Sequence, residues 1–262
     1  MQSFFQKSSK GVNVDFIYLK TEDYLKLLLI YFYLSKNQHT LLSMNENNKD
    51  HALDLLKGAY SLKTSDDNKI YYKNFAPHYD DVFVKSLGYI YPEEVAKILM
   101  SSFQIDGAIC DIGCGTGLVA EKIKKINKKA IIDGVDISTD MIEISKTKKL
   151  YRNLFDLDLN GNLSDLSKNY AAIISAGTFT HGHLGSDVLR RLVEHFDTNT
   201  CCVIGINFKH YAEKGFEDLL KNLASEKAIT DFSVSEAKVY YKEEELIENN
   251  NNKACICTFR IK

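Results

Sequence analysis

This sequence lacks any apolar stretch long enough to cross a membrane as a helix. A membrane-spanning helix needs about 20 consecutive apolar residues, whereas the longest candidate, residues 24–34, is interrupted by Lys26. No small-residue cleavage site follows this run, as would be expected after a signal peptide. We therefore expect a protein without a membrane partner, in which residues 24–34 form an amphipathic or buried helix.

The sequence also lacks paired metal-binding or redox cysteines, because none of its six cysteines forms a CxxC motif. Most of them lie in apolar runs typical of strands, where cysteine behaves as a small buried side chain. Cys255 and Cys257 would share one face of a strand, but no further Cys or His stands at ligand spacing, which favours core packing over a metal pair. We predict no metal site and a reducing, cytoplasmic compartment.

A surplus of positive charge is absent as well. The 33 lysines and arginines are balanced by 35 aspartates and glutamates, which gives a formal net charge of -2. Nucleic-acid-binding proteins usually carry a basic surplus, so no nucleic acid is expected as a partner. The composition leaves the oligomeric state open.

The pattern of apolar residues divides the chain into three parts. Residues 1–43 match no recognisable pattern, and we expect that they form a dispensable appendage or that Met44 is an alternative or true start. Residues 44–104 are predicted to form a helical cap with helices at 51–60, 66–72 and 92–103. Pro92 suits the first turn of the last of these, where its missing N–H costs nothing.

The remaining residues, 105–262, alternate between strand and helix patterns. Strands separated by helices pair in parallel, so we expect an α/β fold with a Rossmann-like, mostly parallel sheet and helices on both faces. The final two strands have no helix between them and should pair antiparallel at an edge. The predicted strands are 107–112, 130–135, 151–157, 170–176, 201–208, 232–241 and 254–261, and the predicted helices are 117–128, 138–148, 186–196 and 211–223.

The most informative segment is CDIGCGTGL at residues 110–118, which joins the first strand of this domain to its first helix. Parallel sheets bind ligands at this end of their strands, and the glycines at 113, 115 and 117 allow a tight turn and close approach of a ligand to the backbone. The dinucleotide pattern GxGxxG would need glycine where Leu118 stands. Asp111 would repel a pyrophosphate but attract a cationic amino group, directly or through water. The segment therefore favours S-adenosylmethionine over NAD as the cofactor.

Two further acids follow the next two strands. Asp136 stands 19 residues after Gly117 at the end of the second strand, where an acid can accept both ribose hydroxyls of a nucleoside. Asp158 follows the third strand and can accept from an adenine amino group, although Asp156 competes for this role. Each acid alone could be a solvated strand end or a helix cap. Three acids at the ends of successive strands, Asp111, Asp136 and Asp158, are less easily explained by chance.

Together these motifs resemble those of class I S-adenosylmethionine-dependent methyltransferases. From about residue 57 onward, the chain resembles a bacterial group of small-molecule methyltransferases related to Williams–Beuren-region methyltransferase-like proteins. The segments that carry this resemblance are AYSLK at 59–63, YKNFAPHYD at 72–80, ISAGTFTHGH at 174–183 and GINFKHY at 205–211, with departures at Phe75 and Ala171. The resemblance implies a seven-stranded sheet with the last strand reversed, S-adenosylmethionine as cofactor, and methyl transfer as the activity.

The motifs and the resemblance also predict which residues bind the cofactor. Tyr72, Phe75 and Tyr79 recur at helical spacing, and the resemblance implies that the first two form a lid over the cofactor; core packing against the sheet explains such an aromatic face equally well. The complete predicted set is Tyr72, Phe75, Asp111, Gly113, Cys114, Gly115, Gly117, Leu118, Asp136, Ile137, Met141, Asp158, Leu159, Ala176 and Gly177.

Three histidines follow the fourth and fifth strands and are the candidates for the acceptor site: His181, His183 and His210. His181 and His210 are predicted to act as a base or to orient the acceptor, because histidine titrates near neutral pH. The alternative is that these histidines only fix their loops. A base is required only when the nucleophile arrives protonated.

The sequence thus predicts an S-adenosylmethionine-dependent methyltransferase that acts on an unidentified small molecule. The alternatives are a protein or RNA methyltransferase and a non-catalytic S-adenosylmethionine-binding module. Exocyclic amines of nucleic-acid bases are disfavoured as acceptors, since the tetrad [DNS]-Pro-Pro-[YF] of enzymes that methylate them cannot occur with prolines only at 77 and 92.

Overall fold

The computed structural model of the protein describes residues 54, 55, 58, 62, 64–180, 182–241 and 252–262. The predicted appendage 1–43, most of the predicted helix 51–60 and the candidate base His181 lie outside the described residues.

A seven-stranded sheet forms the centre of the described chain, with the strand order β3-β2-β1-β4-β5-β7-β6. Strands β1 to β5 pair in parallel, which confirms the predicted Rossmann-like α/β fold. The strands are β1 (Ala108–Ile112), β2 (Ile131–Asp136), β3 (Asn153–Asp156), β4 (Ala172–Phe179), β5 (Cys201–Asn207), β6 (Ile229–Lys238) and β7 (Lys253–Ile261).

The last strand, β7, runs antiparallel to both of its neighbours and lies between β5 and β6. The prediction of an antiparallel pair at an edge and a reversed last strand is thus confirmed. Because β7 reaches the sheet interior, β6 occupies the edge.

Helices cover both faces of this sheet. They are α1 (Ser65–Phe75), α2 (Tyr91–Ser102), α3 (Leu118–Ile126), α4 (Thr139–Lys148), α5 (Ser186–His195), α6 (Phe208–Glu213) and α7 (Phe216–Ser225); a 3₁₀ turn at Ala76–His78 and a π-helix at Asp80–Leu87 join α1 to the rest. The described helices include none that is both long and apolar enough to span a membrane.

Two features of these helices differ from the sequence-based expectation. The predicted single helix 211–223 is two helices, α6 and α7, because Gly215 adopts a left-handed conformation with φ of 70° between them. Such a conformation is readily adopted by glycine and interrupts helix geometry. The π-helix at Asp80–Leu87 was not predicted, since helices of this type are rare and leave no established sequence pattern.

The hydrophobic core has two layers, one on each face of the sheet. Adjacent strand residues alternate between them: Ile174 packs in the layer formed with α2 and α3, and Ile173 packs in the layer formed with α5 and α7. This alternation follows from the two-residue repeat of a strand. All six cysteines are free and buried in these layers or near them, as predicted.

The parallel arrangement places the carboxyl ends of β1 to β4 along one edge of the sheet. The loops that follow β1, β2 and β4 and the segment after β3 therefore meet there. In open parallel sheets this crevice is the usual place for a ligand.

A close contact between β5 and α2 gives a test of this packing. A Cβ atom added at Gly205 would lie 2.1 Å from Tyr91 Oη and 2.6 Å from its Cζ, and Tyr91 is buried. We expect Gly205→Ala to lower the free energy of unfolding by about 1–3 kcal/mol, the usual cost of overpacking a core, as measured by chemical denaturation.

Adding Tyr91→Phe to Gly205→Ala should recover part of this loss, because it removes the nearest atom. A Gly205→Ala protein as stable as the wild type would contradict the packing described here.

Candidate active site

A cavity lies at the carboxyl ends of β1 to β4, the usual position of a ligand site in a parallel sheet. Ten of the predicted cofactor residues line it: Tyr72, Gly113, Gly115, Asp136, Ile137, Met141, Asp158, Leu159, Ala176 and Gly177. The structure adds six residues that were not in the predicted set: Tyr79, Leu157, Asn160, Thr178, His183 and Leu184.

The glycine-rich loop after β1 forms the floor of this cavity. Gly113 has a φ of 68°, and a Cβ at this position would lie 1.9 Å from Thr178 Oγ1, so only glycine fits there. The N–H groups of Gly113 and Cys114 both donate to the Val135 carbonyl, at 2.8 and 2.9 Å, which fixes the loop to β2. Gly115, with a φ of 52°, has open space where its side chain would be, which leaves the backbone accessible to a ligand.

The Asp136 carboxylate connects this loop to the start of α4. It accepts from the Gly115 N–H at 2.7 Å and from the Ser138 N–H at 2.9 Å. Burial raises the pKa of Asp136 above its ordinary value, while these backbone donors oppose the rise. The carboxylate is therefore held in place at the cavity wall by backbone donors, with further lone pairs available for hydroxyl donors of a ligand.

The structure separates the two acids that competed at the end of β3. Asp158 lines the cavity, with its Oδ1 accepting from the Asn160 N–H at 2.9 Å. Asp156 instead accepts from the Thr139 hydroxyl at 2.7 Å and borders a separate surface depression. Asp158 is thus the acid at this end of the cavity, as the predicted set has it.

Asp111 lies beneath the loop and does not line the cavity. Its side chain is fully buried, its Oδ2 accepts from the Tyr151 hydroxyl at 2.7 Å, and its Oδ1 has no hydrogen-bond partner among the described residues. Burial raises the pKa of Asp111 to about 7, an effect that the Tyr151 hydrogen bond opposes. This placement favours an indirect, electrostatic effect of Asp111 on a ligand over direct contact with it.

The other predicted residues outside the cavity lie in or beside the glycine-rich loop, except Phe75, which ends α1. Cys114 and Leu118 are buried, and Gly117, with a φ of 92°, forms the N-cap of α3. Phe75 is buried as well and packs against Tyr72 and Tyr79, with ring centroids 6.4 and 5.3 Å apart. Tyr72 and Tyr79 line the cavity, so the predicted aromatic face combines core packing with cavity lining.

A polar contact ties the segment that carries these aromatic residues to the glycine-rich loop. Asp80 at the start of the π-helix accepts from the Thr116 hydroxyl at 2.6 Å and from Lys148 Nζ at 2.5 Å. Lys148 Nζ also lies 3.4 Å from Glu121. The acidic residue lies in the segment YKNFAPHYD, but its partners, Thr116 and Lys148, stand 36 and 68 residues away, a distance that sequence patterns do not bridge.

Of the two predicted catalytic histidines, the structure describes only His210. His181 lies outside the described residues. His210 is buried, its Nε2 lies 2.9 Å from the Leu184 carbonyl, and it does not line the cavity. This placement favours a structural role for His210, which holds the loop after β4, over the predicted catalytic one.

His183 is the described histidine that lines the cavity. Its ring meets that of Tyr72 edge to face with centroids 5.9 Å apart. Burial lowers the pKa of His183 to about 4, and the nearby His210 contributes to this lowering. The segment HGH at 181–183 signalled this position, but spacing alone did not distinguish between its two histidines.

The comparison with protein families gives a match to the central part of the chain. Residues 109–200 match the family described as methyltransferase domain. This range contains the glycine-rich loop, Asp136, Asp158 and the loop after β4. It ends before the fifth strand.

Curated relatives match less than half of the chain. The malonyl-[acyl-carrier protein] O-methyltransferase of Bacillus anthracis is 28% identical over 111 residues, which cover 42% of this chain and 40% of the relative. The ribosomal RNA small subunit methyltransferase C of Aliivibrio fischeri is 32% identical over 127 residues, which cover 44% of this chain and 37% of the relative. The chain thus spans about two fifths of the length of the curated relatives it matches.

Among solved structures, the plantazolicin methyltransferase BpumL in complex with SAH is similar in fold, with a TM-score of 0.53 and 15% identity. The similarity covers 84% of this chain and 100% of that one. At this identity the similarity extends to the fold alone.

The buried Asp111 carboxyl should make stability depend on pH. Its pKa in the folded protein, about 7, exceeds the ordinary value of 3.8, so between these values the folded chain binds more protons than the unfolded chain. Stability therefore falls as pH rises through this window. We expect Asp111→Asn to be close to the wild type near pH 4 and to gain relative to it by up to about 4 kcal/mol at pH 8, as measured by urea denaturation without ligand.

Asp165→Asn, an exposed change of the same chemistry, is the matched control and should track the wild type throughout. A difference between Asp111→Asn and the wild type that does not vary with pH would contradict this assignment.

The Asp80 contacts should limit local opening of the glycine-rich loop. We expect Asp80→Ala to accelerate amide hydrogen exchange about fivefold at residues 115–118, because a net hydrogen bond is worth about 1 kcal/mol. Glu143→Ala, which breaks an exposed pair with Lys146 on α4, should leave this exchange unchanged. Equal exchange in the two variants would show that Asp80 does not anchor the loop.

Proposed function

We propose, from the premise that this chain contains a class I S-adenosylmethionine-dependent methyltransferase domain, that the protein transfers the methyl group of S-adenosylmethionine to a small molecule. The observation that carries the proposal is the placement of Asp136 and Asp158 on the wall of one cavity, beside the open backbone of Gly115. The methyl group of this donor is already activated as part of a sulfonium cation, so the enzyme contributes mainly by positioning.

The residues present fit this donor. Asp136 and Asp158 are acceptors suited to ribose hydroxyls and an adenine amino group, and Ile137, Met141 and Leu159 supply apolar surface beside them. The described residues that line the cavity include no lysine or arginine. Two carboxylates without a basic partner suit a cationic donor better than the pyrophosphate of a dinucleotide.

The strand order supports a division of the cavity into two parts. Successive positions along the sheet edge are the ends of β3, β2, β1 and β4. Asp136 is the last residue of β2 and Asp158 stands two residues after β3, so the nucleoside part of the donor belongs there. The methyl acceptor then belongs at the end of β4, where Ala176, Gly177, Thr178 and His183 lie.

A small acceptor is favoured over RNA. The described lining of the cavity includes no lysine or arginine, whereas RNA binding depends strongly on contacts between these residues and phosphates. The relative from Bacillus anthracis is named for an acyl-carrier-protein substrate and that from Aliivibrio fischeri for ribosomal RNA. The relatives therefore do not select the acceptor, and the chemistry of the cavity is the better guide.

The donor site can be tested by comparing two acids at the same edge. Asp136→Ala should weaken binding of S-adenosylmethionine about ten- to a hundredfold, because it removes charge-assisted hydrogen bonds worth roughly 1.5–3 kcal/mol. Asp156→Ala removes the same charge outside the cavity and should change the affinity less than about threefold. Isothermal titration calorimetry measures both. Equal losses in the two variants, or tight binding of NAD by the wild type, would refute the proposed donor site.

The transfer itself is tested by supplying S-adenosylmethionine and a metabolite extract and measuring S-adenosylhomocysteine. We expect production above the rate without extract, retained after the extract is passed through a filter that removes macromolecules. Production that is lost with the macromolecular fraction and restored by RNA or protein would favour the corresponding alternative. Tight donor binding without any production would favour a non-catalytic binding module.

A further inference from the structure

The β4 end of the cavity contains a buried polar atom that has no hydrogen-bond partner among the described residues. His183 lines the cavity, yet its Nε2 is buried and has no hydrogen-bond partner among the described residues. Buried polar atoms are nearly always hydrogen-bonded in folded proteins, so an exception calls for an explanation. A ligand that occupies the cavity beside His183 would supply the missing partner.

The other polar side chains that line the cavity at this end make contacts within the protein, and Thr180 Oγ1, which is also buried without a hydrogen-bond partner among the described residues, does not line the cavity. The Thr178 hydroxyl lies within 3.3 Å of the Ile112 and Gly113 carbonyls and can donate its proton only to them. Tyr72 and Tyr79 present aromatic rings that pack on each other with centroids 6.3 Å apart. His183 is therefore the described side chain at this end with an uncommitted nitrogen.

We infer that His183 Nε2 is the hydrogen-bond partner of the methyl acceptor, and that the acceptor presents an uncharged hydroxyl group on an aromatic or otherwise apolar body. This inference rests on the proposed methyl transfer and specifies its acceptor. It assigns to His183 the role that the sequence had suggested for His181 or His210.

The charges around the cavity select the class of acceptor. The described residues that line it offer no lysine or arginine to pair with a carboxylate. Its two carboxylates, Asp136 and Asp158, lie at the ends of β2 and β3, away from the β4 end, and so give a cationic acceptor no partner beside His183. The lowered pKa of His183, about 4, keeps its imidazole neutral near pH 7. An uncharged acceptor leaves no buried charge unpaired.

A neutral imidazole also suits the chemistry of a hydroxyl acceptor. In the transfer, the hydroxyl oxygen forms a bond to the methyl carbon as the bond between this carbon and the donor sulfur breaks, with its electron pair remaining on sulfur. The hydroxyl proton passes to His183 Nε2 and from there to solvent. His183 thereby removes the positive charge that would otherwise develop on the acceptor oxygen.

The inference is tested with three probes that share one aromatic body. The full chain is saturated with S-adenosylhomocysteine and titrated at pH 7 with 2-naphthol, 2-naphthoate and 2-naphthylmethylammonium, which are uncharged, anionic and cationic. We expect 2-naphthol to bind at least about tenfold more tightly than either ion, the scale of one net hydrogen bond.

Two histidine variants make the test specific. His183→Leu should weaken 2-naphthol binding about tenfold and leave the affinity for S-adenosylhomocysteine within about twofold. His78→Leu, which removes an exposed histidine of the 3₁₀ turn after α1 that does not line the cavity, should change neither affinity.

The possible outcomes distinguish the assignment of His183 from the proposed donor site. Tighter binding of either ion, no binding of 2-naphthol, or an unchanged affinity in His183→Leu would overturn the assignment of His183 while leaving the proposed donor site intact. Failure of the wild type to bind S-adenosylhomocysteine would overturn the proposed function and this inference with it.

Discussion

The hydrogen bond from the Gly115 N–H to the Asp136 carboxylate is the contact on which the architecture of the cavity depends. It joins the loop after β1 to the end of β2. The same carboxylate also accepts a hydrogen bond from the N–H of Ser138, the residue directly before α4. Because burial disfavours the charged carboxylate, the backbone donors are needed to hold it in place. The group that is expected to bind the donor therefore also shapes the loop on which the donor would lie.

The aromatic segment before the sheet depends on this loop in turn. Asp80 contacts Thr116 in the loop and Lys148 at the end of α4, so a single carboxylate fixes the segment to two elements of the domain. Tyr72 and Tyr79 line the cavity with this segment, and the Tyr72 ring contacts both Tyr79 and His183. The cavity is thus built from local backbone geometry on one side and from long-range polar contacts on the other.

The fold was largely predictable from the sequence because strand and helix periods are local. The positions of the loop at 113–117 and of the acids Asp136 and Asp158 were predictable for the same reason, since each lies at or just after the end of a strand. What the sequence did not reveal depends on tertiary contacts: Tyr151 beneath Asp111, Asp80 on Thr116, and the choice among three histidines near the strand ends. His210 illustrates this limit, because only packing shows that its Nε2 lies against the Leu184 carbonyl instead of facing the cavity.

The position of β7 between β5 and β6 also constrains how the sheet can assemble. All seven residues of β5 are buried, yet its outer edge gains a partner only when β7 arrives, after β6 has been synthesised. Until then the backbone donors and acceptors of an apolar strand are exposed, a state that invites pairing with other chains. The order of synthesis thus leaves one edge of the apolar strand β5 without its partner until β7 has been made, so a nascent or partly unfolded chain exposes an edge that can pair with other chains.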